Sequence, residues 1–280
     1  MPCEIQHTGI VNWHGSPPGL CLSAKFRPRL KTSLGVWPSV EYRNMTAIVS
    51  TYVPGMGFVV GADGLRTDAK TGAVVTDKAK KIFSIESDGV HLAYAWVGGV
   101  SLFSGSGQEF SFLEESATIG NSLAINKPES IEEYVHQFAA KMYDKLQTIR
   151  LPDGRLSNNR DALPHKEIAH VLLVGYYNGK PYRGGVSFSQ KNLLLQPPFM
   201  DEIIESPDNF AVFSGSDTVL QKFQPMAAPE TLQEAAELIR NYIQACVDNR
   251  SNYADCATIG GRVHVATVTP KRFAWVAPPV

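Results

Sequence analysis

Residues 57–63, "GFVVGAD", constrain the fold of this chain most strongly. The stretch is apolar or small at every position until Asp63. Successive side chains of a strand point to opposite faces. A strand with no polar face must be covered on both sides, so the sheet that holds it lies between other layers. The preceding residues supply its partner. "TAIVSTYVPGMGFVVGADG" (46–64) reads as two strands joined by a turn at Pro54-Gly55-Met56-Gly57. "GAVVTDKAKKIFSIESDGVHLAYAWVGG" (72–99) gives two more, turning near Asp88-Gly89.

Helical periodicity then takes over twice. Over residues 130–150, Ile131, Val135, Phe138, Met142, Leu146 and Ile149 recur at spacings of three and four. Ser130 and Glu133 form a capping box at its start. Over residues 231–250, Leu232, Ala235, Leu238, Ile239, Tyr242, Ile243 and Cys246 make a second stripe, with Thr231 and Glu234 as its capping box. Both stripes are core-facing surfaces. Between the helices, "IAHVLLVGYYNGKPYRGGVSFSQKNLLLQPP" contains a hairpin at Asn178-Gly179, and "NFAVFSGSD" adds a strand. "GGRVHVATVTPKRFAWVAP" closes the chain with strands. Strands buried on both faces and helices apolar on one side are satisfied together by an α+β, four-layer αββα sandwich of two mainly antiparallel sheets.

The first 45 residues differ from the rest. They show no period of 2 or 3.6 and are interrupted by Pro2, Pro17, Pro18, Pro28 and Pro38. Five basic residues against two acidic ones give them a charge of +3, which leaves −4 for the remainder of a chain of net charge −1. They lack the basic start and continuous apolar stretch of a secretory signal. The expected division is an irregular extension over 1–45, either a propeptide or upstream sequence before the true start, and one domain over 46–280. The sequons Asn44-Met45-Thr46 and Asn249-Arg250-Ser251 are read as chance matches.

The 280 residues are 44 % hydrophobic and 19 % charged, the balance of a globular protein. No dense Lys/Arg block marks a nucleic-acid or membrane-surface binder. No apolar run approaches the ~18 residues of a membrane span. Four scattered cysteines, Cys3, Cys21, Cys246 and Cys256, make neither a disulfide framework nor a zinc spacing. Reduced thiols in a cytoplasmic protein are expected. His165 and His170 are spaced wrongly for an HExxH site. "GYYNGK" is one residue short of a Walker loop, and Gly105-Ser106-Gly107 lacks the rest of a nucleotide fingerprint. No metal or cofactor is expected.

Chemistry concentrates at Thr46. Methionine is ordinarily trimmed when threonine follows, so a chain begun at Met45 starts with Thr46. Its hydroxyl would then lie beside its own α-amine, whose ordinary pKa of about 7.7–8.0 leaves a useful neutral fraction near pH 7. Nucleophile and base then come from one residue. "DKAKKIFSI" (77–85) supplies Lys78, Lys80 and Lys81. Adjacent Lys80 and Lys81 point to opposite faces of a strand, so one can enter the site while the other is solvated. Asp63 is the carboxylate available to fix such a lysine. The N–H groups of Gly98 and Gly99 in "WVGG" are candidates for an oxyanion hole. Taken singly, Thr46 is an ordinary strand threonine, Asp63 a turn residue and the lysine pair a solvated strand end. The ordered combination is what points to function.

That combination, "TAIVS…GFVVGADGLRT…TDKAKKIFSI…LAYAWVGG", resembles the opening of proteasome β-type subunits, members of the N-terminal-nucleophile (Ntn) hydrolases. The resemblance continues in order through "LLVGYYNGKPYRGGVS", "AVFSGSD" and "ATIGGRVHVATV", over roughly residues 46–270. The "ADG" is similar to bacterial proteasome homologues that pair with an unfoldase ring. The resemblance implies Thr46 as nucleophile, Asp63 as the acidic residue after the second strand, Lys81 as the active-site lysine and Gly98 as the oxyanion glycine. It implies Ser216 as the serine that supports the N-terminal amine, with Asp255 near the family's later Asp-x-x-Ser pair. Aligned on Gly260-Gly261, however, Cys256 takes the acidic position and Ile259 that of the serine. Trp96 and Val97 lie where the family lines its first specificity pocket. Self-cleaving subunits carry glycine before the threonine; Met45 stands there instead, which favours translation from Met45 over autoprocessing. The expected protein is a proteasome-like threonine peptidase acting on peptide or unfolded protein, a homo-oligomeric ring with an unfoldase ATPase as candidate partner. The alternatives are a non-catalytic ring or scaffold subunit, and an Ntn amidase with a small-molecule substrate.

Overall fold

The computed structural model of the chain describes residues 9–12, 46–67, 72–98, 101–103, 109–151, 153, 155–156, 165–192, 194–205, 210–223 and 228–279. In chain order, strands β1 (Gly9–Asn12), β2 (Ile48–Val53), β3 (Gly57–Ala62), β4 (Arg66–Thr67) and β5 (Val74–Thr76) come first. β6 (Ile82–Ser87), β7 (Val90–Gly98), β8 (Ser101–Phe103) and β9 (Glu109–Ser111) lead into helices α1 (Phe112–Asn126) and α2 (Ile131–Thr148). β10 (His165–Tyr177), β11 (Lys180–Lys191), β12 (Leu194–Leu195), β13 (Phe199–Met200), β14 (Ile204–Glu205) and β15 (Phe210–Ser214) follow. Helices α3 (Asp217–Lys222) and α4 (Leu232–Asp248) precede the last strands, β16 (His264–Thr269) and β17 (Arg272–Ala277).

Two antiparallel sheets dominate a mixed α and β architecture. One has the order β1-β15-β2-β3-β16-β17. The other runs β12-β11-β10-β7-β6, with β13 and β14 also paired to β11. Both anticipated central strands are there, and β2 and β3 are buried at every residue. Their turn carries Gly55 at φ +74°, and the Asn178-Gly179 turn has both residues at positive φ, the geometry that matches strand twist in a two-residue hairpin.

The helices form where the capping boxes place them. Ser130 Oγ accepts from Glu133 N at 3.1 Å, and Thr231 Oγ1 accepts from Glu234 N at 3.1 Å. Glu133 and Glu234 in turn accept from Glu129 N and Glu230 N, one residue earlier than the reciprocal capping-box bond requires. Two helices lie outside the sequence expectation. α1 has a weak apolar stripe broken by Gly120, where a Cβ would stand 2.7 Å from Ile85 Cδ1. α3 is too short to show a period. Of the segment before Thr46, β1 is the described part, and it pairs with β15 at the sheet edge.

Three apolar clusters locate the core. One joins the β6–β7–β10–β11 sheet to α1 and α2, through Trp96, Phe112, Phe138 and Phe188 among others. A second joins the β2–β3–β16 sheet to α4, through Val49, Val59, Ile239 and Ile243. The third draws on both sheets: Ile48, Phe58, Val60 and Val268 from one, Ile82, Ala93, Ala95 and Leu172 from the other. Full burial of each large side chain contributes about 1.5–3 kcal/mol before chain entropy is charged against it. No described helix is long and apolar enough to cross a membrane.

Candidate active site

The β2–β3 hairpin builds the centre of the site. Its register pairs Ile48 with Ala62, so Thr46 and Asp63 emerge side by side at one end of the sheet. Backbone bonds secure that end: Asp63 N donates to Ala47 O at 3.0 Å, and Gly64 N to Gly260 O at 3.0 Å. Thr46 is buried, and Asp63 is wholly so.

A carboxylate out of water needs a cation and donors to offset its lost hydration. Asp63 has both. Its Oδ1 accepts from Ala47 N at 3.0 Å and from Lys81 Nζ at 2.9 Å. Its Oδ2 accepts from Leu65 N at 3.2 Å and Gly260 N at 3.1 Å. Lys81, 2 % exposed, also donates to Thr46 Oγ1 at 3.3 Å. Thr46, Lys81 and Asp63 thus form one continuous chain of contacts. Lys81 turns inward and Lys80 outward, its Nζ 4.9 Å from the Phe83 ring centroid.

The supports of Asp63 come from far along the chain and need glycine. A Cβ on Gly64 would lie 2.7 Å from both Arg262 O and Asp77 O. Gly261 sits at φ +72°, and a Cβ there would stand 2.4 Å from Asp77 O. The "ADG" and "IGGR" motifs, remote in sequence, are in backbone contact here.

Gly98 ends β7 at φ +87°, paired with Ala169, and a Cβ on it would meet Ile168 O at 3.0 Å. Gly99 lies outside the described residues, as do Met45, Cys3, Cys21, Asn44 and Gly105-Ser106-Gly107. Trp96 packs against Phe112 and Phe188 in the helix-side cluster.

The side chains of Ser216 and Asp255 both bond to the start of α3. Ser216 is the N-cap of α3, its Oγ accepting from Val219 N at 3.0 Å. Asp255 lies in the 3-10 turn Ala254–Cys256, and its Oδ2 accepts from Thr218 N at 3.1 Å. Its Oδ1 is buried without a hydrogen-bond partner among the described residues. The link back to Thr46 runs through the backbone: a Cβ on Gly215 would lie 3.3 Å from the Ala47 Cβ. Cys256 and Ile259, at the positions the alignment on Gly260-Gly261 singles out, are fully buried in the α4 cluster. Burial pushes the Cys256 thiol up and the Cys246 thiol up to about 12, so both stay protonated and unreactive.

Two contributors were not anticipated. Ser214, the first serine of "SGSD", donates to Thr46 O at 3.4 Å. His264 lies fully buried beside this cluster, its Nε2 2.7 Å from Ala79 O. The sequence marked Ser214 as a strand end but not its neighbour β2, which the sheet pairing supplies; the one ionisable residue in "VHVATV" was the signal for His264.

No protein-family model and no curated protein matches the chain. Solved structures do. The chain is similar to the Anbu (Gly-1) mutant from Hyphomicrobium sp. strain MC1, with a TM-score of 0.53 and 12 % identity over 83 % of this chain and 88 % of that one. It is also similar to Anbu, described as an ancestral beta-subunit, from Yersinia bercovieri, with a TM-score of 0.50 and 13 % identity over 82 % and 86 %. At such identity the likeness is one of fold alone.

Proposed function

We propose that the chain is a proteasome-like threonine peptidase or amide hydrolase whose nucleophile is Thr46 once it becomes N-terminal. The observation that carries this reading is the continuous Thr46–Lys81–Asp63 contact chain. With residue 45 attached, the Thr46 nitrogen is a peptide nitrogen and has no basic lone pair. Removal of Met45 supplies the amine. That amine takes the Oγ1 proton, directly or through water, as Oγ1 attacks the carbonyl carbon. At 3.3 Å, the Lys81 cation attracts the developing alkoxide with a pairwise energy of about 5 kcal/mol at an effective dielectric near 20, part of which the Asp63 carboxylate beside it cancels. Collapse of the tetrahedral species passes the proton to the leaving amine and leaves an ester on Thr46. Water, activated by the same amine, releases the acid. The family resemblance gives Gly98 the role of oxyanion donor, and Ser216 and Asp255 that of supports of the amine.

The three apolar clusters support a four-layer αββα sandwich as the Ntn-hydrolase fold, with the domain beginning at Thr46. Peptides would bind extended, by pairing along a strand edge. Homo-oligomeric assembly in the cytoplasm, with an unfoldase ATPase as candidate partner, completes the reading.

The test is a chain begun at Met45, its intact mass, and a peptide electrophile selective for N-terminal threonine. Loss of methionine and one adduct per chain, absent in Thr46→Ala, is the expected result. Retained methionine, or equal turnover by Thr46→Ala, overturns the reading. The engagement of Ser216 and Asp255 in capping α3, with no hydroxyl at Ile259, favours a second reading as a non-catalytic ring subunit. It predicts a stable oligomer that the electrophile leaves unlabelled.

A further inference from the structure

Lys81 reaches Thr46 from a stretch with no regular structure. Residues 78–81 belong to neither a helix nor a strand. The backbone of such a segment is fixed by whatever hydrogen bonds its N–H and C=O groups make with the rest of the chain. Asp77 O accepts from Arg262 N at 2.8 Å, and Ala79 N donates to Gly64 O at 2.7 Å. Lys78 N donates to Thr76 Oγ1 at 3.1 Å, and Trp96 N to Lys81 O at 3.2 Å. The carbonyl two residues before Lys81 is held by a remote side chain, with Ala79 O 2.7 Å from His264 Nε2.

His264 is an odd residue for its place. It opens β16 and pairs with Ala62, one residue before Asp63. The next residues on its face, Ala266 and Val268, belong to the apolar cluster between the sheets. A fully buried histidine there has given up its hydration. Because a carbonyl only accepts, Nε2 carries the proton, and Nδ1 is a bare acceptor with no partner among the described residues. Burial holds the imidazole below its ordinary 6.5; the Ala79 carbonyl and Asp63 oppose this, and Lys81 and Arg262 add to it. The ring is therefore neutral near pH 7, and its protonation would set a second cation beside Lys81.

We propose that His264 is a positioning residue for the reaction: its neutral Nε2–H, bonded to the Ala79 carbonyl, fixes the 78–81 segment so that Lys81 Nζ lies between Thr46 Oγ1 and Asp63 Oδ1. The inference rests on the Thr46 reading and extends it to a residue that touches neither the nucleophile nor the substrate.

Two substitutions separate positioning from bulk. His264→Gln keeps an amide donor at similar reach; His264→Leu keeps volume and removes the donor. Both are made in the chain begun at Met45, and labelling of Thr46 by a peptide electrophile is resolved into binding and inactivation steps. One lost hydrogen bond of about 1–1.5 kcal/mol corresponds to about a tenfold change in rate. His264→Leu should slow the inactivation step by that factor or more with binding unchanged, and His264→Gln should restore it to within about threefold, the fraction of a kcal/mol that imperfect donor geometry costs. Wild-type rates in His264→Leu, or equal losses in both variants, overturn the inference. If the unsubstituted protein is not labelled at all, the Thr46 reading falls separately. The positioning role is then decided by NMR of the Lys81 side chain. Its resonances should move in His264→Leu and not in His264→Gln; their failure to move overturns it.

Discussion

Lys81→Met tests the electrostatic core of the site. The substitution keeps the stem's volume and removes the cation, so packing changes little. Asp63 is then left wholly buried with three backbone N–H donors and no counter-ion. Breaking a buried pair from one side costs about 3–5 kcal/mol, because the remaining charge stays desolvated. Replacing both partners, as Asp63→Asn with Lys81→Met, removes that charge. The amide still accepts on one oxygen, while its NH2 faces N–H groups that Asp63 formerly paired, so about 1–3 kcal/mol is still lost. The double variant should therefore be more stable than Lys81→Met, with a coupling energy of about 2 kcal/mol or more. The assay is urea unfolding followed by tryptophan fluorescence. With a slope of about 2–3 kcal/mol per molar, Lys81→Met should lower the midpoint by about 1–2 M at unchanged slope. A cost below about 1 kcal/mol for Lys81→Met, or losses that simply add in the double variant, would refute the reading of Lys81–Asp63 as a buried, mutually dependent pair.

Other outcomes follow from the same geometry. Gly261→Ala must hold a Cβ at φ +72° and 2.4 Å from a backbone carbonyl, so it should cost about 3 kcal/mol or more and loosen Gly260 N from Asp63, read by urea midpoint. The unfolded chain binds a proton at His264 below pH 6.5 while the folded protein resists it, so stability falls as pH drops through 6.5 toward the lower folded value. That acid-side slope should be shallower in His264→Gln, measured by unfolding between pH 7 and 5. Ser214→Ala removes a long 3.4 Å bond to Thr46 O and should cost no more than about 1 kcal/mol in the same unfolding assay.

How much of this was legible in the sequence varies with the range of the interaction. The helices over 131–148 and 232–248 announced themselves because a cap bond spans three residues and a stripe repeats every turn. The Asn178-Gly179 hairpin was legible because positive φ at both positions demands such residues. α1 was not, because Gly120 interrupts its stripe for the sake of contact with Ile85, a residue 35 positions away. Thr46, Asp63 and Lys81 were legible as a set through family resemblance, and the structure brings those three together. Among the described residues no hydrogen bond joins Ser216 or Asp255 to Thr46; both cap α3 instead. The short-range preference of Ser216 for a helix start is satisfied where it stands, and Asp255 reaches the same helix start from 37 residues away.

By itself, then, the sequence determined what each segment can be. A strand without a polar face requires two covering layers, and a capped stripe requires a helix, because both are matters of local geometry and burial. Only the tertiary structure decided which donors converge on Asp63, and that a histidine more than 180 residues downstream holds the carbonyl of Ala79. Those outcomes depend on desolvation. A buried charge or carbonyl takes whatever partner the packed chain delivers within about 3 Å, and the sequence alone does not say which residue that will be.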